Sequence, residues 1–208
     1  TIYWFDYDDA FGPEIIADIG SLGTRMKVGG FAFVTVCAGP PGALEMQTPA
    51  QRLGHFQEHI GSFSIGLAAS DMENSNFPKS VHRVLMAAFQ NAFAARTDGK
   101  FQTIFQVQYK DSTTMLTVGG CFSKAAEAPK IRSRVKADLP FLLKASPYQI
   151  KNLNLTERER SLFDAAVTTR RRKSKQANSL RSLGFEDVHF EAYRDLLRFL
   201  PRYHESII

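Results

Sequence analysis

The feature that most constrains this chain is its opening, Thr1-Ile2-Tyr3-Trp4-Phe5-Asp6-Tyr7-Asp8-Asp9. β-Branched and aromatic residues suit a strand, and an unbroken run of them reads as a strand buried on both faces. Such strands build parallel α/β sheets, in which ligands bind beyond the carboxyl ends of the strands. Asp6, Asp8 and Asp9 stand at that end. One Asp suffices to cap a following helix, so a cluster of three marks a candidate site rather than a cap alone. A strand that begins at residue 1 has no lead-in, which points to an upstream segment of polypeptide.

The next elements fix the local topology. Phe11 to about Lys27 reads as a helix, with Pro13 in the first turn and Ile15, Ile16, Ile19 and Leu22 at helical spacing. Phe31 to Ala38 is a second apolar strand, closed by Gly39-Pro40-Pro41-Gly42, a loop by composition. Strand, helix, strand with short connections makes a right-handed βαβ unit with parallel strands. The Gly39 to Gly42 loop then shares a sheet edge with the Asp cluster.

Two helices follow, from Pro49 to about Ile60 and from Pro78 to Arg96. The second carries Val81, Leu85, Ala88, Phe89 and Ala92 on its inner face. Phe101 to Tyr109 and Met115 to Phe122 flank a turn at Lys110-Asp111-Ser112, which is a hairpin signature. The remainder reads as helical. It includes a segment within Ala125 to Leu143 and a capping box at Thr156 and Glu159. A short helix is closed by Gly184, and a last one runs from Phe190 to Leu200. The expected units are residues 1–145 and a helical extension, residues 146–208.

A chain of 208 residues, 44% hydrophobic and 23% charged, suits an ordinary globular core. Its apolar runs fall short of the roughly 20 residues of a membrane helix, and its first residues, lacking a basic segment before an apolar one, do not read as a signal peptide. A cytoplasmic protein without a membrane partner is the expectation. Cys37 and Cys121 lie in strand segments and read as reduced core thiols. A net charge of +5 permits a polyanionic partner without requiring one.

The order of elements resembles the second half of the class I S-adenosylmethionine-dependent methyltransferase fold. In that fold the last two strands form an antiparallel pair, and the final strand inserts beside the fifth. The wording of Trp4-Phe5-Asp6-Tyr7-Asp8, Phe33-Val34-Thr35-Val36, Met115-Leu116-Thr117-Val118-Gly119-Gly120 and Leu155-Thr156-Glu157-Arg158-Glu159 is similar to a bacterial O-methyltransferase family. The resemblance implies an α/β fold: the later strands of a Rossmann-like sheet, mixed with an antiparallel terminal hairpin, plus the helical extension. Residues 1 to 9 then match the fourth strand, whose tip faces the transferred methyl. Asp6, Asp8 and Asp9 become candidates for the general base that takes a proton from an acceptor hydroxyl. A pair of them can alternatively hold a divalent cation. Tyr7, Thr35, Gly39 and Pro40 are expected to border the substrate pocket. The glycine-rich turn after a first strand and the ribose-binding acid after a second are missing. The main S-adenosylmethionine site is therefore expected upstream, on a segment that completes the sheet.

Other patterns point elsewhere. Asp6-Tyr7-Asp8 also resembles the start of haloacid-dehalogenase-type phosphatases, but the expected threonine is Ala10. His55 and His59 share a helical face at metal-site spacing, without the Glu that follows the first His in zinc proteases, and read as a solvated face. Arg170, Arg171, Arg172, Lys173 and Lys175 form a basic run that can meet nucleic-acid phosphates. This run supports the alternative to an enzyme: a non-catalytic Rossmann-like scaffold that contacts nucleic acid or a protein partner through its basic extension.

Overall fold

The computed structural model describes residues 1–110, 113–150, 155–168 and 175–196. The chain divides into two compact units, Thr1–Ile150 and Lys151–Ile208.

The first unit begins with strand β1 (Ile2–Ala10), helix α1 (Pro13–Arg25) and strand β2 (Gly30–Cys37). β1 and β2 are parallel, in register from Ile2 opposite Phe31 to Asp6 opposite Thr35. Pro13 starts α1, where its missing N–H costs nothing. After β2 come a single turn, α2 (Gly42–Glu45), and the longer helices α3 (Pro49–Ile60) and α4 (Phe77–Phe93). A capping box closes the start of α3: the Thr48 side chain accepts from the Gln51 N–H, and the Gln51 side chain accepts from the Thr48 N–H.

Strands β3 (Lys100–Lys110) and β4 (Thr114–Ser123) form the expected hairpin. β4 lies between β2 and β3 and is antiparallel to both, giving the sheet order β1-β2-β4-β3-β5. The resemblance implied an antiparallel strand inserted at this place, beside the second parallel strand. Two glycines let β4 fit there. A Cβ on Gly120 would lie 2.2 Å from the Gln102 carbonyl oxygen, and one on Gly119 would lie 2.2 Å from the Phe33 ring.

One face of the sheet is covered by helices. Ala32, Val34, Val36, Leu116, Val118 and Phe122 are buried with Ile15 and Ile19 of α1, Phe56 of α3, and Val81, Leu85 and Phe89 of α4. A Cβ on Gly23 would lie 1.9 Å from the Ala92 carbonyl oxygen, so α1 and α4 meet backbone to backbone. On the other face Trp4, Phe33 and Phe105 form a row, with ring centroids 5.8 and 5.7 Å apart.

Two expectations change. β1 is not buried on both faces: Ile2 is 69% and Trp4 64% exposed, while Tyr3, Phe5 and Tyr7 pack against the core. Among the described residues β1 lies at the sheet edge with helices on one side only, and an apolar run does not reveal which of its faces is covered. After α5 (Ala128–Asp138), the segment read as wholly helical contains a short strand, β5 (Tyr148–Ile150), parallel to β3. Cys37 and Cys121 occupy neighbouring strands, yet they cannot touch. Their register partners are Met115 and Phe31, so they lie near opposite ends of the β2–β4 ladder, and both are free thiols.

The second unit contains helices α6 (Glu157–Thr168), α7 (Lys175–Ser182) and α8 (Asp187–Leu196). The capping box before α6 forms as the sequence indicated: Thr156 N–H donates to Glu159 Oε2, and Glu159 N–H to Thr156 Oγ1. Phe163 is fully buried among Ala166, Ala177, Leu180 and Tyr193, its ring stacked 4.9 Å from that of Tyr193. The Tyr193 hydroxyl donates to Asp164 at 2.7 Å. Burial, and then that carboxylate, push the phenol up to about 12. Gly184, at φ +91°, ends α7 in the left-handed conformation that a C-terminal glycine serves.

Candidate active site at the tips of the parallel strands

The carboxyl ends of β1 and β2 lie side by side, and the ladder between them is irregular at that point. Asp6 pairs with Thr35, and the next pair is Ala10 with Cys37. Tyr7, Asp8 and Asp9 therefore oppose Val36 alone. Bulges occur next to active sites, where they re-aim side chains. Asp6, Asp8 and Asp9 are all exposed, so a substrate can reach them.

Strand alternation separates the cluster into two faces. Tyr7 lies on the helix-covered face, where its hydroxyl donates to Asp18 Oδ2 of α1 at 2.5 Å. Burial, then that bond, raises the phenol well above its ordinary range, so it holds its proton. Asp6 follows Trp4 on the opposite face. There the Trp4 indole N–H donates to Thr35 Oγ1 at 3.2 Å, and the Thr35 hydroxyl shares a bond with Thr117 Oγ1 at 3.1 Å. Thr35 is 3% exposed. Its hydroxyl is committed to ordering the floor beside Asp6.

The loop after β2 forms the adjoining rim. Ala38 N–H donates to the Thr114 carbonyl at 2.7 Å, and Cys37 Sγ lies 3.2 Å from Thr113 Oγ1. A Cβ on Gly39 would come within 3.2 Å of the same Thr113 oxygen. Pro40 is half-buried and α2 follows directly. Asp6, Asp8, Asp9, Gly39 and Pro40 thus belong to one sheet edge, with Thr35 beneath.

Two groups here escaped the sequence reading. Thr113 lay unassigned between the turn at Lys110-Asp111-Ser112 and the strand from Met115. Arg52 was overlooked among the apolar positions of α3, although it is only 5% exposed. Its Nε donates to the Leu44 carbonyl at 2.8 Å, Nη1 to the Met72 carbonyl at 3.1 Å and to Asn74 Oδ1, and Nη2 to the Glu45 carbonyl at 2.6 Å. The guanidinium thus ties α2, the continuation of the rim, to the body of the unit. Its sequence signal was spacing: positions 52, 56 and 60 share one helical face, and Phe56 and Ile60 are buried on it.

The remaining candidates fall elsewhere. His55 and His59 stack at 4.0 Å on the exposed side of α3, and His59 Nδ1 lies 2.8 Å from the His55 carbonyl oxygen. Among the described residues no three His, Cys, Asp or Glu side chains converge as a metal site. The divalent cation that the resemblance allowed is thus unsupported. Arg170, Arg171, Arg172 and Lys173 lie outside the described residues. Lys175 begins α7. Among the described residues no helix is long and apolar enough to cross a membrane.

An accessible carboxylate cluster on a bulge, above an ordered hydroxyl floor and beside a clamped loop, can accept a proton from a hydroxyl-bearing molecule. The whole chain, residues 1–208, matches the family described as "Putative O-methyltransferase". No curated protein matches it. The chain therefore belongs to that O-methyltransferase family.

Proposed function

We propose that the chain carries the acceptor side of an S-adenosylmethionine-dependent O-methyltransferase with Rossmann-like class I architecture. The observation that carries this reading is the sheet order. Two parallel strands end in the acidic bulge, and an antiparallel strand is inserted next to the second of them. The family membership agrees with it.

The fit to the cofactor is partial. When bound, S-adenosylmethionine supplies an electrophilic methyl carbon. Among the described residues no glycine-rich strand-to-helix turn is available to approach its nucleoside. Gly119 and Gly120 are spent on strand packing, and the Gly12 turn is filled by the Glu14 carboxylate, 2.3 Å from where a Cβ would be. Trp4 and Ile2 stand exposed on β1, whose outer edge pairs with no strand among the described residues. In the proposed molecule an upstream segment extends the sheet at this edge and holds most of the cofactor.

The chain's own contribution is to position the acceptor and take its proton. An acceptor hydroxyl held within hydrogen-bond reach of a carboxylate at the bulge, Asp6 or Asp8, would give its proton to a carboxylate oxygen, while bound S-adenosylmethionine would supply the methyl and leave as S-adenosylhomocysteine. The Gly39–Pro40 rim limits where the acceptor can lie, which favours in-line attack. The test is transfer of tritiated methyl from S-adenosylmethionine into the acceptors of a cell extract. Asp6→Asn or Asp8→Asn should lower it by about 100-fold or more with the circular-dichroism spectrum unchanged. Unaltered transfer in both variants would remove the carboxylates from the chemistry.

A further inference from the structure

Helix α5 is an exception to the packing logic of the first unit. None of its residues is buried. Ala128, Ile131 and Val135 are half-buried at helical spacing, and the other positions from Pro129 to Asp138 are exposed. The exposed positions include Lys130, Arg132, Arg134 and Lys136. Arg134 pairs with Asp138 at 2.9 Å, both side chains remaining mostly exposed. Lys130, Arg132 and Lys136 form no ion pair among the described residues. A surface pair of this kind contributes little, so this cation density is not consumed by internal pairing.

The charge is segregated. Residues 1–20 hold five acidic side chains and no Lys or Arg, while residues 124–144 hold six basic side chains and two acidic ones. The sheet order separates these groups: the acidic stretch lies at the β1 edge, and α5 packs near β3, beyond β4. One side of α5 is an open surface made by Pro129, Lys130, Ser133, Arg134 and Ala137. The four cations span about 9 Å of helix, from a rise of roughly 1.5 Å per residue, and stand as two pairs, Lys130 with Arg134 and Arg132 with Lys136, on the two flanks of its exposed side. A nucleic-acid duplex presents about one phosphate charge per 1.7 Å of its axis, so some five phosphates fall within that span.

We propose that α5 is a nucleic-acid-binding surface on which Lys130, Arg132, Arg134 and Lys136 contact the phosphodiester backbone of a duplex without reading its bases. Charge complementarity selects this partner. The acidic β1 edge, at the other end of the sheet, repels the same polyanion and so sets the approach direction. Apolar anchors that would enter a lipid surface are missing from the exposed side of α5, where Ser133, Pro129 and Ala137 separate the cations. The proposal does not depend on the methyltransferase reading.

The test is fluorescence anisotropy of a labelled DNA duplex of about 20 base pairs, titrated with the 208-residue chain. Four phosphate contacts predict a log–log salt slope near −3.6, or roughly 150-fold weaker binding at 200 mM than at 50 mM salt. The quadruple variant Lys130→Gln, Arg132→Gln, Arg134→Gln, Lys136→Gln should lose detectable binding. The double variant Lys130→Gln, Arg134→Gln, which leaves the helix formers in place, should reduce the slope by about 1.8. Replacing Arg170, Arg171, Arg172, Lys173 and Lys175 by Ser should leave the α5-dependent slope standing. Three outcomes overturn the proposal. These are no binding by the parent at 50 mM salt, binding by the α5 variants equal to that of the parent, and loss of binding by the same variants only toward phosphatidylserine vesicles.

Discussion

Replacement of Arg52 by Met tests whether the rim of the site is held rigid by a buried cation that has no carboxylate partner. Arg52 is 5% exposed, and its hydrogen-bond partners among the described residues are carbonyl or amide oxygens. Met keeps much of the apolar stem and removes the donors. The bonds to the Leu44 and Met72 carbonyls are buried, and each acceptor left unmatched costs about 1–3 kcal/mol. Relief from burying an unpaired charge offsets part of that loss. The net expectation is about 3 kcal/mol. For a unit of this size that lowers Tm by roughly 6–12 °C. Amide exchange should accelerate in residues 42–47 and 72–74, the segments that the guanidinium joins, before it does so in β2 and β4. Arg52→Lys keeps the charge but offers a point donor instead of a fork, so it should recover only part of the loss. A Tm change below about 2 °C for Arg52→Met, with unaltered exchange in residues 42–47, would refute the clamp.

The other predictions concern packing and protonation. Gly120→Ala places a methyl 2.2 Å from the backbone oxygen of Gln102. Backbone cannot rotate away, so a loss of about 3 kcal/mol is expected in urea unfolding; a neutral result would mean that β4 is not wedged between β2 and β3. Phe163→Ala empties the centre of the second unit and should cost about 3–5 kcal/mol, seen as loss of helical circular dichroism from that unit at lower urea. Burial holds the His82 imidazole below its ordinary range, partly offset by its 2.6 Å bond with Gln106 Oε1. The unfolded chain then takes up a proton first as pH falls below about 6.5. Stability is full above that value and declines as pH falls toward the depressed folded value. His82→Gln should flatten that decline, and an unchanged pH profile would show that His82 does not cause it.

Much of the fold was legible because its signals are local. Pro13 and the isoleucine spacing announced α1, Thr156 sat where a cap belongs, and Gly184 closed α7. The β3–β4 hairpin was announced by its turn at residues 110–112, whereas the place of β4 beside β2 was implied by the methyltransferase resemblance. What stayed hidden depends on partners distant in sequence. Ile2 and Trp4 look like core residues until the helices are seen to cover only the other face of β1. β5 is three residues long, and it is a strand only because β3 offers an edge beside it. The acidic tip could be read as a cluster, but the bulge that puts Tyr7, Asp8 and Asp9 opposite Val36 exists only in the pairing with β2. Arg52 was hidden because a charged residue at an inward helical position is usually a surface residue. Its partners, at positions 44, 45, 72 and 74, are gathered only by the fold.

The central claim is that the carboxylate tip serves the acceptor of a methyl transfer. It is tested most directly by calorimetric titration of S-adenosylhomocysteine into the complete native gene product, with parent and Asp6→Asn compared. The account predicts micromolar binding to both, because Asp6 acts on the acceptor rather than on the nucleoside, together with loss of methyl transfer in the variant alone. Absence of binding heat in the parent would contradict it.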